Sequence, residues 1–187
     1  PARPASDTVV KSDEATFAAY GGSESCRECH QEAYDLWKNS HHGLAERPMD
    51  LARDRFAFDP KRVFKHGTQT SEARVNEGRF ELTTLGFGGE KKAYPLDRVI
   101  GVNPLLQYLV AAPGGRFQIT EVAADPRSND WFNIYGEEDR RPGEWGHWTG
   151  RGMNWNMMCA TCHNTRLRKN YQGTNDSYAT TMAEMGV

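Results

Sequence analysis

Two short motifs contain every cysteine of the chain, and in each of them a histidine directly follows the second cysteine. They are Cys26-Arg-Glu-Cys29-His30 and Cys159-Ala-Thr-Cys162-His163. Two thiols at this spacing can add to the vinyl groups of a haem as thioethers, and the adjacent histidine can then bind the iron. The pattern predicts two covalently bound haem c groups. The predicted thioether cysteines are Cys26, Cys29, Cys159 and Cys162, and the predicted proximal iron ligands are His30 and His163.

Two other roles are compatible with paired cysteines. Two Cys-x-x-Cys pairs could form one structural zinc site, and a single pair could act as a redox dithiol or form a disulfide. Neither role requires a histidine directly after the second cysteine, and no βαβ pattern of the thioredoxin kind surrounds either motif. Covalent haem is the interpretation that accounts for both histidines.

The remaining histidines are candidates for the distal position opposite each proximal histidine. A second histidine gives a saturated, low-spin iron of low potential, a methionine raises the potential, and an open position permits substrate binding. His42 lies at a chain reversal after the first motif, and His147 lies in a stretch rich in glycine and tryptophan. We predict these two as distal ligands. His41 is an alternative to His42, and His66 is a further candidate, whereas no methionine stands in a pattern that favours ligation.

Composition limits the kind of protein that carries these motifs. The chain has 187 residues, of which only 37% are hydrophobic, and its mean hydropathy is −0.77. We expect two haems to supply apolar volume that such a polar chain lacks. The net charge is −2 and no basic stripe is present, which argues against nucleic acid as a partner. No apolar run is long enough for a transmembrane segment.

The chain also suggests an organisation and a location. Residues 1–20 are predicted to form a flexible leader, and residues 21–187 a single dihaem domain. We expect a loop-rich α+β fold in which two short CxxCH helices flank a small antiparallel sheet inserted at about 62–123. The N-terminus lacks the features of a signal peptide. Because haem c is attached after export, we expect a removed signal and a periplasmic, extracellular or cell-surface location.

Longer stretches around the motifs resemble a known family. The stretch Tyr20-Gly-Gly-Ser-Glu-Ser-Cys26-x-x-Cys29-His30, followed by Trp37-x-x-Ser40-x-His42-x-x-Ala45, resembles the cytochrome c554-like multihaem proteins. Four later stretches are similar to multihaem cytochromes that are often fused to tetratricopeptide repeats; they are residues 104–110, 113–118, 147–150 and 154–163. The resemblance covers roughly residues 20–187.

This resemblance implies electron transfer, export, and His42 and His147 as iron-ligand candidates. Relatives of this kind typically continue beyond a stretch like residues 180–187 into further haem motifs. We therefore expect the chain to be a fragment, a processed form or a shorter dihaem protein.

The predicted function is electron transfer outside the cytoplasm by a dihaem c-type cytochrome with bis-histidine, low-spin haems. Its expected partners are redox proteins, further multihaem cytochromes or other copies of itself. An alternative is a small dihaem enzyme, such as a peroxidase or a nitrogen-oxyanion reductase, with one open iron and His66, His147 or Arg151 as acid–base groups. A haem-based sensor is a third alternative, although the sequence offers no output domain. The number of spare histidines favours the carrier.

Overall fold

The computed structural model describes residues 11–187, and over this range the chain is mostly antiparallel β-sheet with short helices and many loops. The α-helices are α1 Asp13–Phe17, α2 Gln31–Trp37, α3 Leu51–Asp54, α4 Trp155–Met158 and α5 Ala160–His163. The 3₁₀ helices are Ser23–Cys26, Arg55–Ala57, Phe87–Gly89 and Arg151–Met153. The strands are β1 Glu46–Pro48, β2 Arg62–His66, β3 Gln69–Asn76, β4 Arg79–Leu85, β5 Lys91–Pro95, β6 Arg98–Ile100, β7 Leu106–Ala112, β8 Arg116–Asp125, β9 Asp130–Asn133, β10 Asn164–Thr165, β11 Tyr171–Gln172, β12 Ser177–Tyr178 and β13 Glu184–Met185.

Two antiparallel sheets make up the centre of the described chain. One has the strand order β1-β6-β7-β8-β9 and the other β2-β3-β4-β5. The short pairs β10–β13 and β11–β12 lie outside them. The sequence predicts antiparallel, loop-rich structure correctly, but the predicted single small sheet is wrong in extent. The strands between Arg62 and Asp125 belong to two sheets, because β5 pairs with β4 whereas β6 pairs with β1 and β7.

Strand β7 shows how the layers stack. Its side chains alternate between the two faces of the sheet, as in any extended strand. Tyr108 and Val110 pack in one buried cluster with Leu82 of the four-stranded sheet. Leu109 faces the other way and packs in a second cluster with Trp155, the first residue of α4. The five-stranded sheet is therefore the middle layer, and the helices of the second motif pack on its far face.

Aromatic side chains fill much of the core between the sheets. The ring of Trp131 stacks on Phe64 with centroids 4.9 Å apart and on Tyr108 at 5.2 Å, and its Nε1–H donates to the carbonyl of Ala57 at 2.8 Å. Stacked and edge-on pairs of this kind add stability beyond their buried area. The polar chain thus builds an apolar core from its own aromatic residues.

The segment predicted as a leader is only partly described. Residues 1–10 of it lie outside the described residues. In the remainder, Ser12 caps α1, and Asp13 lies 3.2 Å from the guanidinium of Arg168. Helix α1 is therefore tied to the chain that follows the second motif. Between residues 11 and 187 no helix has the length and apolar character needed to cross a membrane.

Candidate functional site

The first motif lies at the start of α2. Cys26 ends the 3₁₀ helix Ser23–Cys26, and His30 occupies the N-cap position of α2. The amide of His30 donates to the carbonyl of Cys26 at 2.8 Å, so the motif itself forms a tight turn. Its thiols and imidazole are all exposed to solvent. Both thiols and the imidazole ring can therefore be reached from outside.

An apolar cleft borders the first motif. Its volume is about 230 Å³, and it is lined by Ser23, Cys26, His30, Ala33, Tyr34 and Trp37. Tyr34 and Trp37 lie on α2, the helix that follows His30, and the centroids of their rings are 5.7 Å apart. A flat, apolar macrocycle attached at Cys26 would find aromatic surface beside it, which is the environment that porphyrin rings favour in proteins.

The second motif runs across the junction of α4 and α5. Cys159 lies between the two helices, while Cys162 and His163 belong to α5. Cys159 is half-buried against the second core cluster, and Cys162 is exposed. Burial, followed by the negative charge of Glu46, raises the pKa of the Cys159 thiol to about 11. The two thiols of this motif therefore differ in environment.

The imidazole of His163 is oriented by the main chain of a distant residue. Its Nδ1 lies 2.8 Å from the carbonyl oxygen of Ala45. A carbonyl oxygen only accepts hydrogen bonds, so Nδ1 must carry the proton and donate. The neutral ring then has no proton on Nε2, which is the tautomer that binds a metal through Nε2. This arrangement fits the role of an iron ligand.

A buried carboxylate on β1, directly after Ala45, supports the second motif. Glu46 follows Ala45 and is 1% exposed. Its Oε2 accepts from the indole Nε1–H of Trp155 at 2.8 Å and from the amide of Asn164 at 2.7 Å. Its Oε1 lies 3.0 Å from the guanidinium of Arg98. Glu46 therefore joins the residue that opens α4 to the residue directly after His163.

Residues 184–187, called here the bridging segment, contact both motif regions. On the first side, Glu184 Oε2 accepts from the hydroxyl of Tyr20 at 2.6 Å and from the amide and hydroxyl of Ser23 at 3.0 and 2.9 Å. On the second side, Glu184 pairs with Thr165 in the β10–β13 ladder, and the amide of Gly186 donates to the carbonyl of His163 at 3.1 Å. The segment therefore connects the chain just before Cys26 to the chain just after His163.

His42 lies where these regions meet. It is exposed, its amide donates to the hydroxyl of Ser40 at 3.2 Å, and its carbonyl accepts from the amide of Val187 at 3.0 Å. His41 is exposed in the same turn. The structure thus places His42 against the bridging segment, with an imidazole that is open to solvent.

His147 lies in a buried setting instead. Its Nδ1 accepts from the amide of Thr149 at 3.2 Å, so the proton of the neutral ring is on Nε2. That Nε2 has no hydrogen-bond partner, and Glu121 Oε1 is 4.0 Å away. Burial lowers the pKa of His147 to about 4 and raises the pKa of Glu121 to about 7. Iron ligation through Nε2 remains a prediction that requires a different tautomer.

His66 is also enclosed. It ends β2, its Nε2 lies 2.8 Å from the hydroxyl of Ser71, and that hydroxyl donates to Thr84 at 2.7 Å. Burial lowers the pKa of His66. The ring is part of a polar chain across the four-stranded sheet. Its role as a distal ligand likewise stays a prediction.

The alternative zinc site is not formed by the described residues. All four cysteines are free thiols, and within residues 11–187 no three Cys, His, Asp or Glu side chains converge closely enough to hold a metal ion. The donors fit covalent haem better, because the motif thiols are unpaired and His163 has the required tautomer.

Two supporting residues were not predicted from the sequence. Glu46 directly follows Ala45, which ends the first stretch quoted for the family resemblance, and Glu184 lies within the stretch 180–187. Glu46 stands in no motif or periodic pattern, and Glu184 belongs to the stretch that resembles the relatives without a role assigned to it from the sequence. Their importance comes from contacts with residues far away along the chain.

Comparison with known proteins finds a similarity for the first motif region. Residues 25–75 match the protein family described as cytochrome c554 and c-prime. The match confirms the resemblance predicted for this part of the chain, and it supports a c-type cytochrome with covalently bound haem c and a role in electron transfer. The second motif lies outside the matched residues. No curated protein and no solved structure matches the chain.

Proposed function

We propose that this cytochrome c554-like chain is a dihaem c-type cytochrome that passes electrons between two neighbouring haems. The bridging segment is the observation that carries this proposal. Glu184 binds Tyr20 and Ser23 just before the first motif, while Gly186 binds the main chain of His163 in the second. Segments that carry the two motifs are thereby fixed side by side, although the motifs are far apart in sequence.

Each motif has its own role in this proposal. Haem c supplies reversible one-electron exchange at its iron when it is bound. Cys26 and Cys29 attach the first haem, with His30 as proximal ligand. Cys159 and Cys162 attach the second, with His163 held by Ala45 in the tautomer that frees Nε2. The aromatic cleft at α2 would exclude water from one side of the first macrocycle.

The distal ligands belong to the same proposal. His42 is exposed beside the bridging segment and can turn toward an iron without breaking a side-chain hydrogen bond in the structure. His147 would need to leave Thr149, and His66 to leave Ser71. We therefore place His42 first among the distal candidates. The resulting iron would be six-coordinate and low-spin, as suits a carrier rather than an enzyme.

The location and the partners follow from the chemistry of haem attachment. We propose export to the periplasm, the extracellular space or the cell surface, because c-type haem is attached after export. Partners would be other redox proteins, further multihaem cytochromes or copies of this chain.

Haem counting and spin state test the proposal together. The mature protein is made with a cytochrome c maturation system, and its haem content is measured by pyridine haemochrome absorbance and intact mass. We expect two haems per chain, one after C26S/C29S and one after C159S/C162S. Electron paramagnetic resonance of the ferric protein should show low-spin signals. A large high-spin signal in the wild type would instead favour the enzyme alternative, and a chain without covalent haem would rule out both.

A further inference from the structure

The buried ion pair between Glu46 and Arg98 lies beside the second motif, and both of its residues make further contacts there. Glu46 is fully buried at its side chain, and Arg98 is 19% exposed. The guanidinium lies 4.4 Å from the ring centroid of Phe117 and 5.2 Å from that of Trp155. Arg98 thus packs against two aromatic rings while it neutralises Glu46. Charges so placed are screened little by solvent.

The pair lies close to the chain on both sides of the second motif. The carbonyl of Ala45 accepts from Nδ1 of His163, and Nδ1 is on the side of the ring away from the metal-binding Nε2. Glu46 is the next residue along the chain and binds Asn164, the neighbour of His163. The carboxylate therefore contacts the chain on both sides of the motif, at Trp155 before it and at Asn164 after it. Burial, followed by the negative charge of Glu46, raises the pKa of the nearby Cys159 thiol.

We propose that Glu46 and Arg98 are positioning residues that set the redox equilibrium of the second haem. Glu46 fixes the motif through Trp155 and Asn164, and the balance of the two opposite charges determines how readily the iron is oxidised. A negative charge nearby stabilises the ferric state, and a positive charge stabilises the ferrous state. This inference rests on the proposed function, since it requires a haem at Cys159 and Cys162.

Two single substitutions distinguish an electrostatic effect on the second haem from a merely structural role of the ion pair. Glu46→Gln removes the negative charge and leaves Arg98 uncompensated, so the second haem should become easier to reduce. Arg98→Gln leaves Glu46 uncompensated, so the same haem should become harder to reduce. We expect shifts of about tenfold in the ferric-to-ferrous ratio, or about 59 mV for one electron, in opposite directions. A merely structural role would shift both variants the same way or not at all.

A second ion pair on the same strand provides the control. Arg47 makes a bidentate pair with Asp54, which is 0% exposed, at 2.7 and 2.6 Å. Consecutive residues of a strand point to opposite faces, so this pair faces away from Glu46. Asp54→Asn changes the charge of a buried pair by the same amount and should leave the potential of the second haem unchanged.

The experiment is a spectroelectrochemical titration of the haem-loaded wild type and the three variants, with haem content measured on each sample. Shifts of opposite sign at one haem, absent in Asp54→Asn, support the inference. Two haems per chain with unshifted potentials, or with shifts of the same sign, overturn the inference and leave the proposed function intact. A wild-type chain without covalent haem overturns the proposed function and this inference with it. If Glu46→Gln loses the second haem, the Arg98→Gln variant decides. A second haem that is harder to reduce supports the inference, and one that is unshifted or easier to reduce overturns it.

Discussion

The indole Nε1–H of Trp37 donates to the carbonyl oxygen of Val187 at 2.9 Å. Trp37 ends the helix that begins at the first motif, and Val187 belongs to the bridging segment. Together with the contacts of Glu184 and Gly186, this bond means that the first motif is held at both of its ends by residues 184–187. The relative position of the two motifs is therefore sensitive to single side chains in that segment.

Removal of the Glu184 carboxylate should loosen this connection. Glu184→Ala leaves the hydroxyl of Tyr20 and the amide and hydroxyl of Ser23 without their acceptor. We expect the free energy of unfolding to fall by roughly 1–3 kcal/mol. Electron exchange between the haems should slow, because their separation is no longer fixed. Denaturant titration and flash photoreduction measure the two effects.

A matched variant of the same contact is Tyr20→Phe. It removes only one of the three donors. We therefore expect the free energy of unfolding to fall by about 1 kcal/mol or less, with electron exchange between the haems unchanged. A Glu184→Ala protein as stable as the wild type would show that the segment does not hold the motifs together.

The assignment of His42 as a distal ligand can be tested against its neighbour. His42→Ala should convert one haem from low spin to high spin, whereas His41→Ala should not, although both residues are exposed in the same turn. Electron paramagnetic resonance and the visible absorbance of the ferric protein report the change. Low-spin haems throughout in His42→Ala would remove His42 from the ligand set.

The cysteines should differ in reactivity before haem is attached. Burial raises the pKa of Cys159 to about 11, whereas Cys26, Cys29 and Cys162 are exposed. Only the thiolate is alkylated, so iodoacetamide at pH 8 should modify Cys159 last in the haem-free chain. Peptide mass spectrometry over time measures the order, and labelling in denaturant, where the four sites should react alike, is the control.

The pair of Glu121 and His147 predicts a dependence of stability on pH. The pKa of His147 is lowered from 6.5 to about 4, so its contribution to stability is lost as the pH falls below 6.5. The pKa of Glu121 is raised from 4.5 to about 7, so its contribution is lost as the pH rises above 4.5. Between pH 4.5 and 6.5, the two residues therefore make the stability of the wild type depend on pH in opposite directions.

Substitution of one of the two residues should reveal how the other makes the free energy of unfolding depend on pH. In Glu121→Gln, stability relative to the wild type should fall with falling pH between 6.5 and 4.5, by up to about 1.4 kcal/mol per pH unit. In His147→Gln, it should fall with rising pH over the same window. Denaturant unfolding at several pH values measures both. A change of spin state in His147→Gln would instead support iron ligation by His147.

Sequence patterns can predict features of this chain that depend on neighbouring residues. The spacing of Cys26, Cys29 and His30 is sufficient to predict haem attachment, because thioether formation is a local reaction of neighbouring side chains. Alternation of apolar residues likewise predicts the strand Arg79–Leu85. Such features depend on residues that are close in sequence.

Long-range contacts were not predictable in this way. Glu46 and Glu184 are ordinary charged residues in the sequence, and the side-chain hydrogen-bond partners described above lie 52 to 164 residues away. His147 lies in a stretch rich in glycine and tryptophan, and its neighbour Trp148 packs edge-on against Tyr94 with centroids 4.8 Å apart. Packing of that large ring into the core encloses the histidine beside it.

The contacts that join the two motifs also bear on the order in which the chain folds. The bonds from Ser23 to Glu184, from His163 to Ala45 and from Trp37 to Val187 close loops of 161, 118 and 150 residues. Closing such loops costs chain entropy, and that cost falls once the intervening strands have formed their hairpins. We expect the sheets to form first and the two motifs to meet last, so that substitutions in the bridging segment speed unfolding and leave the folding rate almost unchanged.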